Sequence, residues 1–109
     1  MIQARGRYRI VLITCASMVE ARRIGRSVVE KKLAACANIV ARVESIYRWK
    51  DKVERAREVL VVIKTTAKRL RQLEREVKRV HSYEVPEFVV LPIVAGSQEY
   101  LKWIGQNAS

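Results

Sequence analysis

The segment HSYEVPE, residues 81–87, holds the single histidine of this 109-residue chain, together with one tyrosine and two glutamates. The side chains of His81, Tyr83, Glu84 and Glu87 can each bind a proton or a metal ion. A structural interpretation stands beside this chemical one, because the proline of the segment holds the preceding residue extended and makes a stiff connector. The rest of the sequence has to decide between a site and a turn.

Two cysteines, Cys15 and Cys36, both lie in apolar runs and are too few for a disulfide framework. We therefore interpret them as buried thiols of a cytosolic protein. A thiolate from Cys15 with the imidazole of His81 suits copper or zinc. A histidine that follows a helix also complements the helix dipole as a cation, so spacing alone does not select the metal interpretation.

Other catalytic and binding motifs are absent. The chain has no glycine-rich phosphate loop, no CxxC and no HExxH, and its one aspartate makes a Ser-His-Asp relay improbable. A general-base role for His81 beside Glu87 ranks last among the hypotheses, so we expect no enzyme. Lys64 lies at the end of a predicted strand and is followed by Thr65 and Thr66. Two interpretations stay open: Lys64 faces an anion at this strand end, or Thr65 or Thr66 simply caps the helix that follows.

The charge and hydropathy of the chain limit its partners. Lysine and arginine number 22 against 11 acidic residues, a net charge of +11 that permits nucleic-acid binding. The basic residues are mixed with glutamates, however, and the strand VLVVIKTT lacks the aromatics that stack bases, so we expect no nucleic-acid partner. The longest apolar runs, 10–16 and 88–95, fall short of the ~20 residues that span a bilayer. We expect no signal peptide, no membrane contact and a cytoplasmic location.

Hydrophobic periodicity predicts seven elements in one domain, residues 1–109. They are a strand at 8–14, a helix at 17–33, a hairpin at 35–65 that turns at 50–52, a helix at 67–80, a strand at 88–94 and a closing helix at 97–105. This β-α-β-β-α-β-α order predicts an α+β, ferredoxin-like split βαβ sandwich with two helices on one face of an antiparallel sheet. Pro92 favours an edge position for the last strand.

Several side-chain positions follow from the same patterns. Ser17 is the predicted N-cap of the first helix, with Glu20 closing a capping box. Glu76 is assigned to the solvent face of the second helix. Tyr100 is predicted to point inward from the closing helix with Leu101 and either Ile104 or Trp103. A period of two places one set of hairpin residues on a single face of a strand: Ile39, Ala41, Val43, Tyr47 and Trp49.

The long hairpin poses a burial problem. Each arm has about a dozen residues, or on the order of 40 Å at ~3.3 Å per residue. Its tip carries Ile46, Tyr47, Trp49 and Val53, which a domain of this size cannot reach to bury. An exposed apolar tip invites aggregation, so we expect a partner subunit to receive Tyr47 and Trp49. The alternative is a hairpin that curls back on its own sheet.

Six strings then occur in a recognisable order and spacing, namely EKKLAACANIV, SIYRWKDKV, VLVVIKTT, HSYEVPE, LPI and YLKWI. Together they resemble the CutA family of divalent-cation-tolerance proteins over nearly the whole chain. The resemblance implies a homotrimer similar in architecture to the PII signalling proteins, with the hairpin residues Tyr47 and Trp49 between subunits. It also implies a link to tolerance of divalent cations, copper above all, no established enzymatic activity and no cofactor that folding requires.

Within the matched segment, His81, Tyr83 and Glu87 stand where the family has the same residues, whereas Ser82 replaces the usual proline. Some bacterial members bind copper through a second, adjacent histidine, and Val80 occupies that position here.

The copper cysteine of those bacterial members corresponds to Ile13, with Cys15 two residues later on the same face of the strand. The full copper set of those members is therefore not present in this chain.

Two functional hypotheses follow. In the first, a homotrimer binds a divalent metal such as Cu²⁺, or a small ligand, at clefts between subunits. Its metal ligands are His81, Cys15 and Glu87, and its cleft residues are Lys64, Tyr83 and Glu84. In the second, the trimer is a PII-like signalling or scaffold module with protein partners, and metal is incidental.

Overall fold

The structure is a computed structural model that describes all 109 residues, with six strands and three helices. In chain order they are β1 (Ile2–Gln3), β2 (Tyr8–Cys15), α1 (Met18–Glu30), β3 (Cys36–Trp49), β4 (Lys52–Thr66), α2 (Leu70–Val80), β5 (Val89–Pro92), β6 (Ala95–Gly96) and α3 (Gln98–Asn107). A 3₁₀ turn, Ala67–Arg69, leads into α2. All seven predicted elements are present, and the short pair β1 and β6 is an addition that the hydrophobic pattern did not indicate.

The four long strands form one antiparallel sheet in the order β3-β4-β2-β5. Strand β4 lies at its centre, and β5, which ends at Pro92, lies at an edge as predicted. The turn at Lys50 and Asp51 has both residues in the left-handed region, at φ 50° and 65°. This α+β topology confirms the ferredoxin-like prediction.

Helices α1 and α2 cover one face of the sheet, here termed the helical face. Alternate strand residues point into it, and they pack against the apolar stripes of both helices. The buried strand residues are Val11, Ile13 and Cys15 from β2 and Val59, Val61 and Ile63 from β4; the helices contribute Ala21, Ile24, Val28, Leu73 and Val77. The other face of the sheet, here termed the open face, carries the residues between these, and α3 covers one end of it.

A β-bulge in β3 overturns the prediction of one continuous face. Val40 lies opposite Leu60, but Val43 lies opposite Glu58, so β3 has one residue more than β4 across this interval. Arg42 absorbs the extra residue with φ 64°. Side chains beyond the bulge therefore project to the face opposite from the one that the period of two predicts.

Ile39, before the bulge, packs against the core on the helical face. Tyr47 and Trp49, after it, pair with Glu54 and Lys52 of β4 and share the open face with Glu58. The bulge thus turns the aromatic tip toward the open face, where the segment 81–87 also ends.

Two other side-chain predictions are corrected at the ends of the fold. In α3, Leu101 and Ile104 are buried, but Tyr100 and Trp103 are exposed. Tyr100 instead lies against Lys64, whose Nζ is 5.6 Å from the ring centroid. Cys36, predicted buried, is half-buried with its Sγ 3.9 Å from the Tyr100 hydroxyl.

Glu76 is buried between α1 and α2 rather than solvated, which corrects its predicted position. Its carboxylate accepts hydrogen bonds from Arg79 Nη2 at 2.7 Å, from Lys31 Nζ at 2.9 Å and from the Ser27 hydroxyl. The Arg79 guanidinium, with Ser27 and Lys31, holds the pKa of Glu76 far below its usual range. The sequence showed only a charged helix face, and the partners on α1 explain why this carboxylate tolerates burial.

Glu76→Gln is expected to lower the free energy of unfolding at pH 7 by about 1–3 kcal/mol, since charge-assisted bonds to a buried group are lost. Because folding lowers the pKa of Glu76, this contribution is present above the unfolded-state pKa of 4.5 and declines as the pH falls below it. Urea unfolding at pH 7 and pH 3 measures both effects. The control Glu74→Gln removes an exposed pair with Lys78 and is expected to change stability far less.

Candidate functional site

The segment 81–87 passes from the helical layer to the open face at one end of the sheet. His81 is the C-cap of α2, and its N–H donates to the Val77 carbonyl at 2.9 Å. Its side chain has no exposed area. The imidazole is therefore held inside the protein, as a ligand or as a structural group, and does not sit on the surface as a cation at a helix end.

Both nitrogens of the His81 ring have partners. Nε2 lies 2.7 Å from the carbonyl oxygen of Thr14 and must carry the hydrogen, because a carbonyl only accepts. Nδ1 accepts the backbone N–H of Tyr83 at 3.1 Å. This pair of bonds defines a neutral ring with the Nε2–H tautomer.

A second feature is a buried cluster of three metal-binding groups, here termed the triad: Cys15, Glu20 and His81. One potential ligand atom from each lies within 4.8 Å of the other two. Glu20 Oε1 is 3.5 Å from His81 Nδ1, is buried and has no hydrogen-bond partner. Burial, followed by the nearby Glu20 and Glu58, raises the pKa of the Cys15 thiol to about 12.

Glu20 was missed as a site residue because the sequence pattern assigned it to a capping box. Ser17 is indeed the N-cap, with its Oγ accepting the Glu20 N–H at 3.2 Å. The Glu20 side chain, however, turns away from the cap toward Cys15 and His81. The available sequence signal was a glutamate in the first turn of a helix that follows a strand ending in cysteine.

The third feature is a cavity of about 630 Å³ on the open face, here termed the cleft. Its walls include the aromatic rings of Tyr47, Trp49 and Tyr83. Four carboxyl groups also line it, those of Glu44, Glu58, Glu84 and Glu87. Although the chain as a whole carries +11, this cleft is acidic and suits a cation.

Tyr83 connects the triad to the cleft. Its backbone N–H binds His81 Nδ1, and its hydroxyl donates to Glu58 Oε2 at 2.6 Å. Burial and then the Glu58 carboxylate raise the pKa of Tyr83, and burial, with Glu58 second, raises that of Glu87. Tyr83 is therefore hydrogen-bonded to a triad residue on one side and to a cleft residue on the other.

The structure brings together most of the predicted site residues, in two groups. Cys15 and His81 meet in the triad; Tyr83, Glu84 and Glu87 line the cleft, together with Tyr47 and Trp49. Glu87 thus lies in the cleft and is not one of the three triad residues.

Lys64 does not reach the cleft within one chain. It pairs with Ile10, whereas Thr14 of the cleft pairs with Leu60, so Lys64 lies four residues further along the sheet, roughly 13 Å away. Its predicted place beside a cleft between subunits therefore stays a prediction, and it requires a neighbouring chain.

Comparison with known proteins identifies the family. A family sequence model described as "CutA1 divalent ion tolerance protein" matches residues 9–107, which is nearly the whole chain. The chain belongs to the CutA1 family. The resemblance of the sequence strings to CutA proteins is thereby confirmed.

Individual CutA1 relatives are similar over most of the chain. The divalent-cation tolerance protein CutA of Thermus thermophilus is 47% identical over 98 residues, 90% of this chain and 95% of that protein. A solved CutA1 structure from Thermus thermophilus has a TM-score of 0.92 at 45% identity and covers 94% of this chain and 99% of its own. A CutA structure from Archaeoglobus fulgidus, titled a periplasmic divalent cation tolerance protein, has a TM-score of 0.90 at 37% identity, covering 94% of this chain and 99% of its own.

Animal relatives of the CutA1 family are longer. Human protein CutA is 43% identical over 101 residues, which are 93% of this chain but 56% of the human protein. Relatives from Arabidopsis and rice are named as chloroplastic. The relatives are named for tolerance of divalent cations or simply as CutA, and none of these names states a reaction. In this chain, none of the helices combines the length and the apolar character that crossing a bilayer requires.

Proposed function

We propose that this protein is a homotrimeric divalent-cation-tolerance protein that binds a divalent metal, with copper as the first candidate. The observation that carries the proposal is the convergence of Cys15 and His81, with Glu20, inside one buried cluster. Thiolate and imidazole are the ligands that copper and zinc favour over magnesium or calcium. The hydrogen bond from His81 Nε2 to the Thr14 carbonyl orients the ring, and metal-binding histidines in proteins are commonly oriented by such a bond from their other nitrogen.

The cleft supplies the second part of the proposal. Glu87 is the proposed ligand that an incoming cation meets first, and Tyr83 and Glu84 line its path. Burial, and then the neighbouring carboxylate of Glu58, raise the pKa of Glu87. A cation bound in the cleft would lower this pKa again, because its charge stabilises the carboxylate form. Lys64 is proposed to approach the cleft of a neighbouring subunit, because it is distant from its own.

His81→Ala is expected to abolish saturable binding of Cu²⁺ and Zn²⁺, since it removes the one imidazole of the chain. Calorimetric titration of the metal-free protein at pH 7 and fixed salt measures it, with one ion per chain expected for the unchanged protein. Glu74→Gln, exposed on the outer side of α2, is the matched control and should bind as the unchanged protein does. Retained tight binding by the alanine variant would remove His81 from the proposal.

The proposed trimer is supported by apolar surface that a single chain leaves uncovered. On the hairpin, Ile46 and Val53 are 67% and 66% exposed. On the open face, Val40 in β3 and Val89 and Leu91 in β5 are exposed. The half-buried side chains of Leu60 in β4 and Leu12 in β2 lie between them across the sheet. Contiguous apolar surface of this kind marks a protein interface. Sedimentation equilibrium should give three times the chain mass of 12.6 kDa.

We further propose that residues 1–109 form one domain, that the protein acts in the cytoplasm and that it catalyses no reaction. Both cysteines are free thiols, which supports a reducing compartment. Metal is proposed as a ligand that folding does not require, because the core around Val61, Leu73 and Val77 is apolar and complete without it.

A PII-like signalling or scaffold trimer is the second candidate function. The observation that favours it is the cleft, whose volume of about 630 Å³ is within the range of small-molecule sites, roughly 300–1,000 Å³. Its aromatic walls suit an organic ligand better than a bare ion. A partner that co-purifies with the trimer and still binds the His81→Ala variant would support this function over metal binding.

A further inference from the structure

We propose that Glu20 is the third ligand of a buried site for a borderline-soft divalent cation, and that loading this site detaches Tyr83 from His81 and alters the cleft. The inference rests on the proposed metal-binding function and assigns its ligand set and its consequence. Neither Glu20 nor a link between the triad and the cleft is part of the copper set that the family resemblance implied.

The first support is the orientation of the His81 ring. Nε2 is committed to the Thr14 carbonyl at 2.7 Å, so the lone pair available for a metal is on Nδ1. Nδ1 faces Glu20 Oε1 at 3.5 Å. The ring therefore presents its basic nitrogen to the carboxylate and not to the outside of the fold.

The second support is the unpartnered oxygen of Glu20. Oε1 is buried and accepts no hydrogen bond, although buried carboxylate oxygens are nearly always paired. The ring nitrogen that faces this oxygen at 3.5 Å, His81 Nδ1, accepts the Tyr83 N–H and therefore has no hydrogen to donate to Glu20. A cation bound by Glu20, His81 and Cys15 would give this oxygen a partner, which no group of the protein provides.

The third support is the spacing and the chemistry of the three ligands. Metal–ligand bonds of about 2.0–2.3 Å in a tetrahedron place ligand atoms about 3.3–3.8 Å apart. The triad atoms lie within 4.8 Å of one another, so small side-chain rotations suffice to close the set. One sulfur, one nitrogen and one oxygen ligand in a dry site favour Zn²⁺ or copper over harder cations.

The consequence for the cleft follows from the single lone pair of Nδ1. The Tyr83 N–H has to give up Nδ1 before that nitrogen can act as a ligand. Tyr83 also packs on the His81 ring, at 4.7 Å between centroids, and holds Glu58 through its hydroxyl. Displacement of the Tyr83 backbone therefore disturbs the Tyr83–Glu58 bond in the wall of the cleft, beside Trp49.

The ligand set is tested with Zn²⁺ and Glu20→Gln, which keeps the size of the side chain but removes its charge. We expect at least a tenfold loss of Zn²⁺ affinity by calorimetry, and thermal unfolding confirms that the variant is folded. Glu74→Gln, which removes an exposed carboxylate paired with Lys78 on α2, is the matched control and should keep the Zn²⁺ affinity of the unchanged protein. Unchanged affinity in Glu20→Gln overturns the assignment of Glu20 even where His81→Ala abolishes binding, so the two proposals fail separately.

The link to the cleft is tested by fluorescence in a Trp103→Phe background, where Trp49 is the remaining tryptophan. Zn²⁺ is used because it has no redox chemistry. We expect the Trp49 emission to change and to saturate at one ion per chain. Adding Tyr83→Phe removes the hydroxyl but keeps the backbone N–H, so Zn²⁺ should still bind with a reduced emission change. A Trp49 signal that stays constant while Zn²⁺ binds overturns the link.

Discussion

Trp49→Glu is expected to convert the proposed trimer into monomers. Trp49 ends β3 at the hairpin tip, is 40% exposed in the single chain and projects from the open face after the bulge. An interface that covers it would bury the new carboxylate near Glu44 and Glu58, which line the same cleft. An uncompensated buried charge costs roughly 3–5 kcal/mol, which corresponds to at least a hundredfold weaker association at each interface.

Sedimentation velocity over a range of concentrations measures this effect. Val19→Glu is the matched control, because Val19 is 63% exposed and apolar but lies on α1, which covers the opposite face of the sheet. That variant should sediment as the unchanged protein. A Trp49→Glu protein that remains trimeric would mean that the hairpin tip packs on its own cleft and leaves the interface to the rest of the open face.

Affinity for Zn²⁺ is expected to rise steeply with pH because of Cys15. Burial, then Glu20 and Glu58, raise the pKa of the Cys15 thiol from 9.0 to about 12, so the thiol is protonated throughout the physiological range. A metal ligand must be the thiolate, and binding therefore releases this proton. Below the pKa, each pH unit should raise the apparent affinity about tenfold, or roughly a hundredfold between pH 6 and pH 8.

Calorimetry at pH 6, 7 and 8, in buffers of different ionisation enthalpy, counts the released proton directly. Cys15→Ser is the matched variant, since serine keeps its proton and removes the soft ligand. It should bind Zn²⁺ more weakly and with a flatter pH dependence. If the slope in Cys15→Ser equals that of the unchanged protein, Cys15 is not a ligand and another group supplies the proton.

The three helices and the four strands of the main sheet were predictable because each has a local signal, which the two-residue strands β1 and β6 lack. The buried strand β2, the cap at Ser17 and the left-handed turn at Asp51 all follow from interactions within a few residues. The edge position of β5 was predictable from Pro92 because proline lacks a backbone donor. Hydrophobic periodicity also predicted a helix that ends at Val80, and His81 directly follows that helix in the structure.

The errors share one physical origin, which is that partners distant in sequence decided the outcome. The bulge at Arg42 changed the face of Tyr47 and Trp49, and a strict period of two has no means of signalling an extra residue. Glu76 was expected in solvent, but Lys31 on the neighbouring helix made its burial tolerable.

The sequence by itself determined the order of elements, the family and the presence of one histidine in a segment rich in possible ligands. Tertiary structure alone decided which groups meet. Glu20 and Cys15 face His81 because α1, β2 and the end of α2 converge at one end of the sheet. Tyr83 joins this triad to the cleft because residues 81–87 pass around that end. Such contacts depend on packing and strand register, which residue types and their spacing along the chain do not encode locally.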